Sequence, residues 1–207
     1  MSKIKGKKRS TLIDMTAMSD VTVLLLTFFI LTSNFIKKEP VQLATPASVS
    51  EIKIPEANLM MILIDPSGKV YMSLDKPQDK RQVLEKIGKD IKYKFSPKQI
   101  KSFVDQPNIG ISISKLPKFL DLDVADQDKA LKMYGIPADS TNNEFKIWVR
   151  YATEIHKDAF GSDLTIAIKS DKSTPYPKIR NVLNTLQDLK LNRYNLLTTL
   201  KGMPQGF

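Results

Sequence analysis

The chain contains no cysteine, which excludes disulfide frameworks, thiol catalysis and cysteine-ligated zinc. Its single histidine, His156, removes most Ser-His and His-metal schemes. Glycine is scarce, eight in 207 residues. No phosphate-cradling glycine loop or nucleophile–base pair is legible, so the chain is not expected to be an enzyme, and no cofactor or metal is expected. Negative charge is in deficit too: 22 Asp+Glu face 32 Lys+Arg, a formal net charge of +10. A surplus of that size points to nucleic acid or to an anionic membrane surface, and the placement of the charges decides between them.

Half of the surplus lies in the first ten residues, at Lys3, Lys5, Lys7, Lys8 and Arg9. From Val21 to Ile36 no residue is charged, and extension back to Met15 gives 22 residues whose only charge is Asp20. As a helix this segment is about 33 Å long, enough for a hydrocarbon core of about 30 Å. It reads as one membrane span. Lys37 and Lys38, followed by Glu39, carry fewer positive charges than the tail before the span, which places the N-terminus in the cytoplasm. Beside a span the basic tail suits anionic lipid, at about 1 kcal/mol per residue, rather than nucleic acid. The alternative is a cleaved signal peptide with a mature start near Ala47 or Ser48. The apolar run exceeds an h-region of about 7–15 residues, and no small-x-small cleavage site follows it convincingly.

The expected organisation is a basic tail over 1–14, a transmembrane helix over 15–36, an extended linker over 37–57, an α+β exterior domain over 58–202 and a short tail over 203–207. Pro40, Pro46 and Pro55 keep the linker extended, with Val49, Ile52 and Ile54 able to lend a short strand. In the exterior domain, LMMILI from Leu59, the turn Asp65-Pro66-Ser67-Gly68 and then KVYMSL predict a hairpin. Val83, Leu84, Ile87 and Ile91 predict a helix over 79–94, and Ser96-Pro97-Lys98-Gln99 predicts the capped start of another. A strand is expected over 109–113 and a helix over 143–156. Strand 164–168, helix 176–189 and strand 194–198 form a β-α-β unit, which requires parallel pairing. The fold class is therefore a single N-terminal transmembrane helix plus an α+β domain with a mixed sheet and a C-terminal β-α-β unit.

Asp20 is the chemically informative position. A carboxylate at mid-bilayer costs about 2.5–3.5 kcal/mol on insertion scales, and acids inside spans mark functional sites. On a helical wheel Thr16, Thr27, Leu31 and Asn34 share its face, a thin polar stripe that calls for a protein partner or a water-lined path. A carboxyl group taken out of water is more readily neutralised by a proton, the property a proton carrier needs. One helix does not enclose a pathway, so a multi-span partner is implied. The plainer reading is that Asp20 ends the span in interfacial water.

The stretch from Ile13 through Thr16, Asp20 and Phe29 to Thr32 resembles the transmembrane signature of the ExbD/TolR family of biopolymer transport proteins. That signature runs roughly N-[IV]-T-P-[LM]-[IV]-D-[VM] before an apolar run with Leu-Leu and Phe. Towards the C-terminus, Leu164 to Ile168, Asp171, Tyr176, Val182-Leu183, Leu186 and Leu196-Leu197-Thr198 are similar to the family as well, Asp171 matching its strand-end acid. The chain departs at Ala17, where the family usually has Pro, at Ser19, where an aliphatic residue is usual, and at Asp14, which replaces Asn. The region 89–160 is longer than the family's compact domain needs. The resemblance implies a single-pass inner-membrane subunit with a periplasmic domain, paired with a second copy inside an ExbB-like pentamer. It also implies that Asp20 carries protons to energise a TonB-like or TolA-like transducer; the helical wheel, not the resemblance, puts Thr16, Thr27 and Asn34 on the pore-facing side with it, and Thr22 and Thr27 are hydroxyls the chain adds to the family pattern. A different class, a membrane-tethered module binding cell wall or protein, would use the span only as an anchor.

Three further candidates carry plainer readings. Asp121-Leu-Asp123-Val-Ala-Asp126-Gln-Asp128 lacks the glycine and final glutamate of an EF-hand loop and reads as a solvated turn and helix start. His156, next to Lys157, is expected at a helix end, where a cation suits the dipole, and has no ligand role. Trp148 is expected in the core.

Overall fold

A computed structural model describes residues 15–33, 47–48, 57–139, 141–197 and 199–200. The chain divides into two compact units, Met1–Lys37 and Lys38–Phe207. The first contains helix α1 (Met15–Thr32), which has no buried residue. Ser33 is already outside the helix, so the helix is shorter than the span expected over 15–36. At 18 residues it is about 27 Å long and is long and apolar enough to cross a membrane. Asn34, the basic residues Lys3, Lys5, Lys7, Lys8 and Arg9, and the linker residues Val49, Ile52 and Ile54 lie outside the described residues.

The second unit is built on a four-stranded mixed sheet. Strands β2 (Leu59–Ile64) and β3 (Val70–Leu74) form the expected antiparallel hairpin, with Met60 opposite Leu74 and Ile64 opposite Val70. Asp65 shapes its turn: the carboxylate accepts from the Ser67 hydroxyl and from the Lys69 amide at 2.8 Å, and Gly68 takes φ +82°, a value that glycine adopts without a Cβ penalty. Strand β4 (Thr165–Ser170) pairs parallel with β2, and β5 (Tyr194–Leu197) pairs parallel with β4, giving the order β3-β2-β4-β5. The expected β-α-β unit is completed by helix α7 (Tyr176–Asp188). A separate parallel pair joins β1 (Ala47–Ser48) to β6 (Thr199–Leu200), so this short linker strand ends immediately before Val49.

One face of the sheet carries Met60, Ile62, Ile64, Met72, Ile166 and Ile168, all buried in the main core. The helices over it are α2 (Pro77–Asp90), α3 (Pro97–Asp105) and α6 (Glu144–Phe160). Their apolar stripes place Val83, Leu84, Ile87, Phe103, Phe145 and Val149 in the same cluster. Trp148 is fully buried there and stacks on Phe103, centroids 5.9 Å apart. Helix α3 starts with the expected capping box, Ser96 and Gln99 bonding reciprocally. The Asn143 side chain accepts from Lys146 N at the start of α6, and Gly161 closes it at φ 64°.

The region 89–160 departs most from expectation. The helix expected over 79–94 stops at Asp90, because the chain reverses at Lys92 (φ 54°) and Tyr93 N donates back to Gly88 O at 2.8 Å. No strand forms over 109–113. Ile109 alone bridges to Met72, and Ile113–Lys115 is a 3-10 turn whose first amide donates to Glu144 at 2.6 Å. A helix not expected from the sequence follows, α4 (Leu116–Leu120), and then α5 (Val124–Met133). The acidic segment is the turn and helix start expected, with Asp123 preceding α5 and Asp126 in its first turn. Ile109 and Ile136 bond to the backbone of Met72 and Val70. The long middle region thus covers the outer edge of β3, an edge that would otherwise template pairing with another chain.

Candidate functional site

Helix α1 presents a nearly continuous apolar surface interrupted by a few hydroxyls and one carboxylate. Three of the hydroxyls are satisfied within the helix. Thr22 donates to Ser19 O at 2.8 Å, Thr32 to Phe28 O at 2.7 Å, and Thr27 to Val23 O and Leu24 O at 2.9 and 3.0 Å. A threonine bonded to its own backbone presents little unmet polarity to lipid. Asp20 has no such recourse: its carboxylate is exposed, and among the described residues nothing pairs with it.

The helix is unbroken from Met15 to Thr32, so Thr16 and Thr27 fall on the Asp20 face, about 6 Å and about 10.5 Å away along the axis. The structure does not bring either hydroxyl into hydrogen-bonding contact with Asp20. Asn34, the fourth member of the expected stripe, lies outside the described residues. Among the described residues no group of three or more His, Cys, Asp or Glu is arranged to hold a metal ion.

In the second unit Asp171 follows β4, where its carboxylate accepts from the amide and hydroxyl of Ser173 at 2.9 and 2.5 Å. It shapes the entry to α7. Thr174, from the same turn, donates to Asp65 O at 3.0 Å and ties that turn to the hairpin. A second acid was not singled out by the sequence. Asp79 on α2 is 1% exposed, and its Oδ2 lies 2.6 Å from Nδ1 of His156, which is 0% exposed. This corrects the placement of His156: it faces the core one turn before α6 ends at Phe160, instead of addressing solvent at the helix end. The Phe160 ring packs 4.8 Å from the imidazole, and Lys76 Nζ sits 3.2 Å above that ring. A pair 77 residues apart in sequence leaves no local signal, and only the apolar stripe around His156 hinted at burial.

The described residues thus form an apolar helix with one carboxylate, long enough to cross a membrane, and an α+β domain on a mixed sheet. The model of the family described as biopolymer transport protein ExbD/TolR matches residues 7–201, so the chain belongs to the ExbD/TolR family. That match takes in the long middle region as well as both ends. No curated protein and no solved structure gives a significant match. Membership assigns the chain to the energy-transducing side of biopolymer transport and, with the apolar helix, fits a single-pass inner-membrane protein.

Proposed function

We propose that the chain is the proton-carrying subunit of an inner-membrane motor. In this reading α1 lies in the pore of an ExbB-like multi-span pentamer beside the same helix of a second copy. The N-terminus is cytoplasmic, with Lys3, Lys5, Lys7, Lys8 and Arg9 at anionic lipid, and the α+β unit is periplasmic. Asp20 accepts and releases the proton, and Thr16, Thr27 and Asn34 line the path. The observation that carries the reading is the carboxylate of Asp20, unpartnered among the described residues, on a helix that bonds the hydroxyls of Thr22, Thr27 and Thr32 internally. A charge left bare in a span requires a partner from outside the chain. Each proton supplies about 2.3 kcal/mol per 100 mV of membrane potential, enough to bias a conformational cycle that drives a TonB-like or TolA-like transducer.

The test is proton-potential-dependent transport in cells carrying Asp20→Asn, with membrane level and co-purification of the multi-span partner measured in the same samples. Asparagine keeps the shape and removes the titrating group. Transport is expected to fall to background while assembly persists. Full transport in that variant would reduce α1 to an anchor and overturn the proposal.

A further inference from the structure

The basic surplus is concentrated in two places. Five of the ten net positive charges lie within residues 1–10, and four more within 89–101, where five lysines accompany the single acid Asp90. That acid is engaged, because it accepts the hydroxyl of Tyr151. Lys89, Lys92, Lys94, Lys98 and Lys101 are all exposed, and among the described residues none has a carboxylate partner. Lys89 and Lys92 suit the C-terminal end of α2. Lys94 and Lys98 flank the N-terminus of α3, where the helix dipole opposes a cation and where the first turn carries no acid.

Lys89, Lys92 and Lys94 line one end of an apolar groove and Lys101 the other, while Glu85 and Arg81, also in its lining, pair with each other at 3.1 Å. Two hollows of about 490 and 430 Å³ run between α2 and α3 and share Ile100 in their linings. Phe95, buried, lies at one end, and half-buried Ile100 and Val104, one turn apart on α3, continue the floor. The hollow depends on the sharp reversal after α2. A Cβ at Gly88 would lie 2.7 Å from Tyr93 O and 3.1 Å from the Phe95 ring, so glycine lets that loop close against the helix.

We infer that the α2–α3 groove docks an acidic segment of a partner protein, with bulky apolar side chains seated on Phe95, Ile100 and Val104 and carboxylates meeting the lysine rim. Charge complementarity selects the occupant: an unpaired basic rim around an apolar floor matches a chain that alternates both chemistries. A flat membrane surface would meet the rim and leave the concave floor uncovered. The inference is independent of any proton role for Asp20.

The test uses the full chain in phosphatidylcholine nanodiscs and fluorescence anisotropy of a labelled peptide, Glu-Leu-Glu-Phe-Glu-Leu-Glu. Saturable binding is expected, and the same peptide with lysine at each glutamate should not bind. A double variant, Lys92→Glu with Lys94→Glu, should weaken binding by about ten-fold or more, and added salt should weaken it in the native chain. Emission from Trp148, the sole tryptophan, checks folding. If the double variant misfolds, Lys89→Gln with Lys101→Gln replaces it and should weaken binding in the same direction. Equal affinity for the lysine peptide, insensitivity to the rim substitutions, or displacement of the peptide by phosphatidylglycerol vesicles would overturn the proposal, the last in favour of a lipid surface.

Discussion

Asp20 and Asp79 are both carboxylates set among apolar side chains, and the chain treats them in opposite ways. Asp79 lies on α2 against His156, 2.6 Å away, under a cover of Phe160 and Lys76. Asp20 stands on α1 with no partner among the described residues. A folded domain can satisfy a buried acid only by drawing a complementary group from a distant element, as α6 does for α2. A lone span has no second element to draw on, so its acid must be answered by another protein or by water. The contrast separates a carboxylate answered inside its own fold from one that, among the described residues, is not.

Removing the two carboxylates one at a time breaks this comparison most directly. Asp20→Asn is expected to reduce transport to background without lowering stability. Asp79→Ala is expected to do the reverse. Removing one member of a buried hydrogen-bonded pair leaves the other unanswered, at a cost of about 1–3 kcal/mol, whereas replacing both Asp79 and His156 with apolar residues of similar volume should cost markedly less. Denaturant unfolding followed by Trp148 emission measures both, since that ring is fully buried. If Asp79→Ala abolished transport at unchanged stability, the division of roles would fail.

Elements with strong local signals were legible in the sequence. The hairpin announced itself through a turn whose Asp65 and Gly68 each have a specific task, and α3 through a capping box with Pro97 inside it. The β-α-β unit followed from its changes of period. The stretch between α3 and α6 was poorly legible for a physical reason. Helix α4 spans five residues, too few to display a helical period, and Ile109 alternated like a strand residue but makes only a single bridge to Met72. On the site side, Asp20 stood out because a charge inside an apolar run is conspicuous without any tertiary information. The pairing of Asp79 with His156, and the groove between α2 and α3, arise from residues brought together by folding.

Titration at alkaline pH sharpens the picture of the folded unit. Burial pushes the Tyr71 hydroxyl well above the ordinary tyrosine value, and the nearby charge of Asp65 adds to it. Tyr151 is raised chiefly by its hydrogen bond to Asp90, then by burial. A tyrosine that resists ionisation in the fold contributes stability that is complete below the unfolded value of about 10 and declines as pH rises above it. The denaturation midpoint should therefore be flat from about pH 8 to about pH 10 and fall beyond. Tyr151→Phe removes one contributor and should make the fall shallower, while a slope unchanged by that substitution would show that the hydroxyl of Tyr151 titrates freely.

The smallest effect is expected on α1 itself, one stretch along the same face as Asp20. Thr27 is the nearest hydroxyl on the C-terminal side of that carboxylate's face, yet its proton is committed to Val23 O and Leu24 O at 2.9 and 3.0 Å. In that rotamer it offers a passing proton or water only a lone pair. Thr27→Val keeps the branched shape and removes the oxygen, and transport should remain within about two-fold of the native chain, because the hydroxyl's main role is to satisfy itself against the backbone. Measured beside Asp20→Asn, a loss as deep as that of the acid would mean that Thr27 turns away from its helix to join the relay, and the proton path would then have to include at least two side chains of this span.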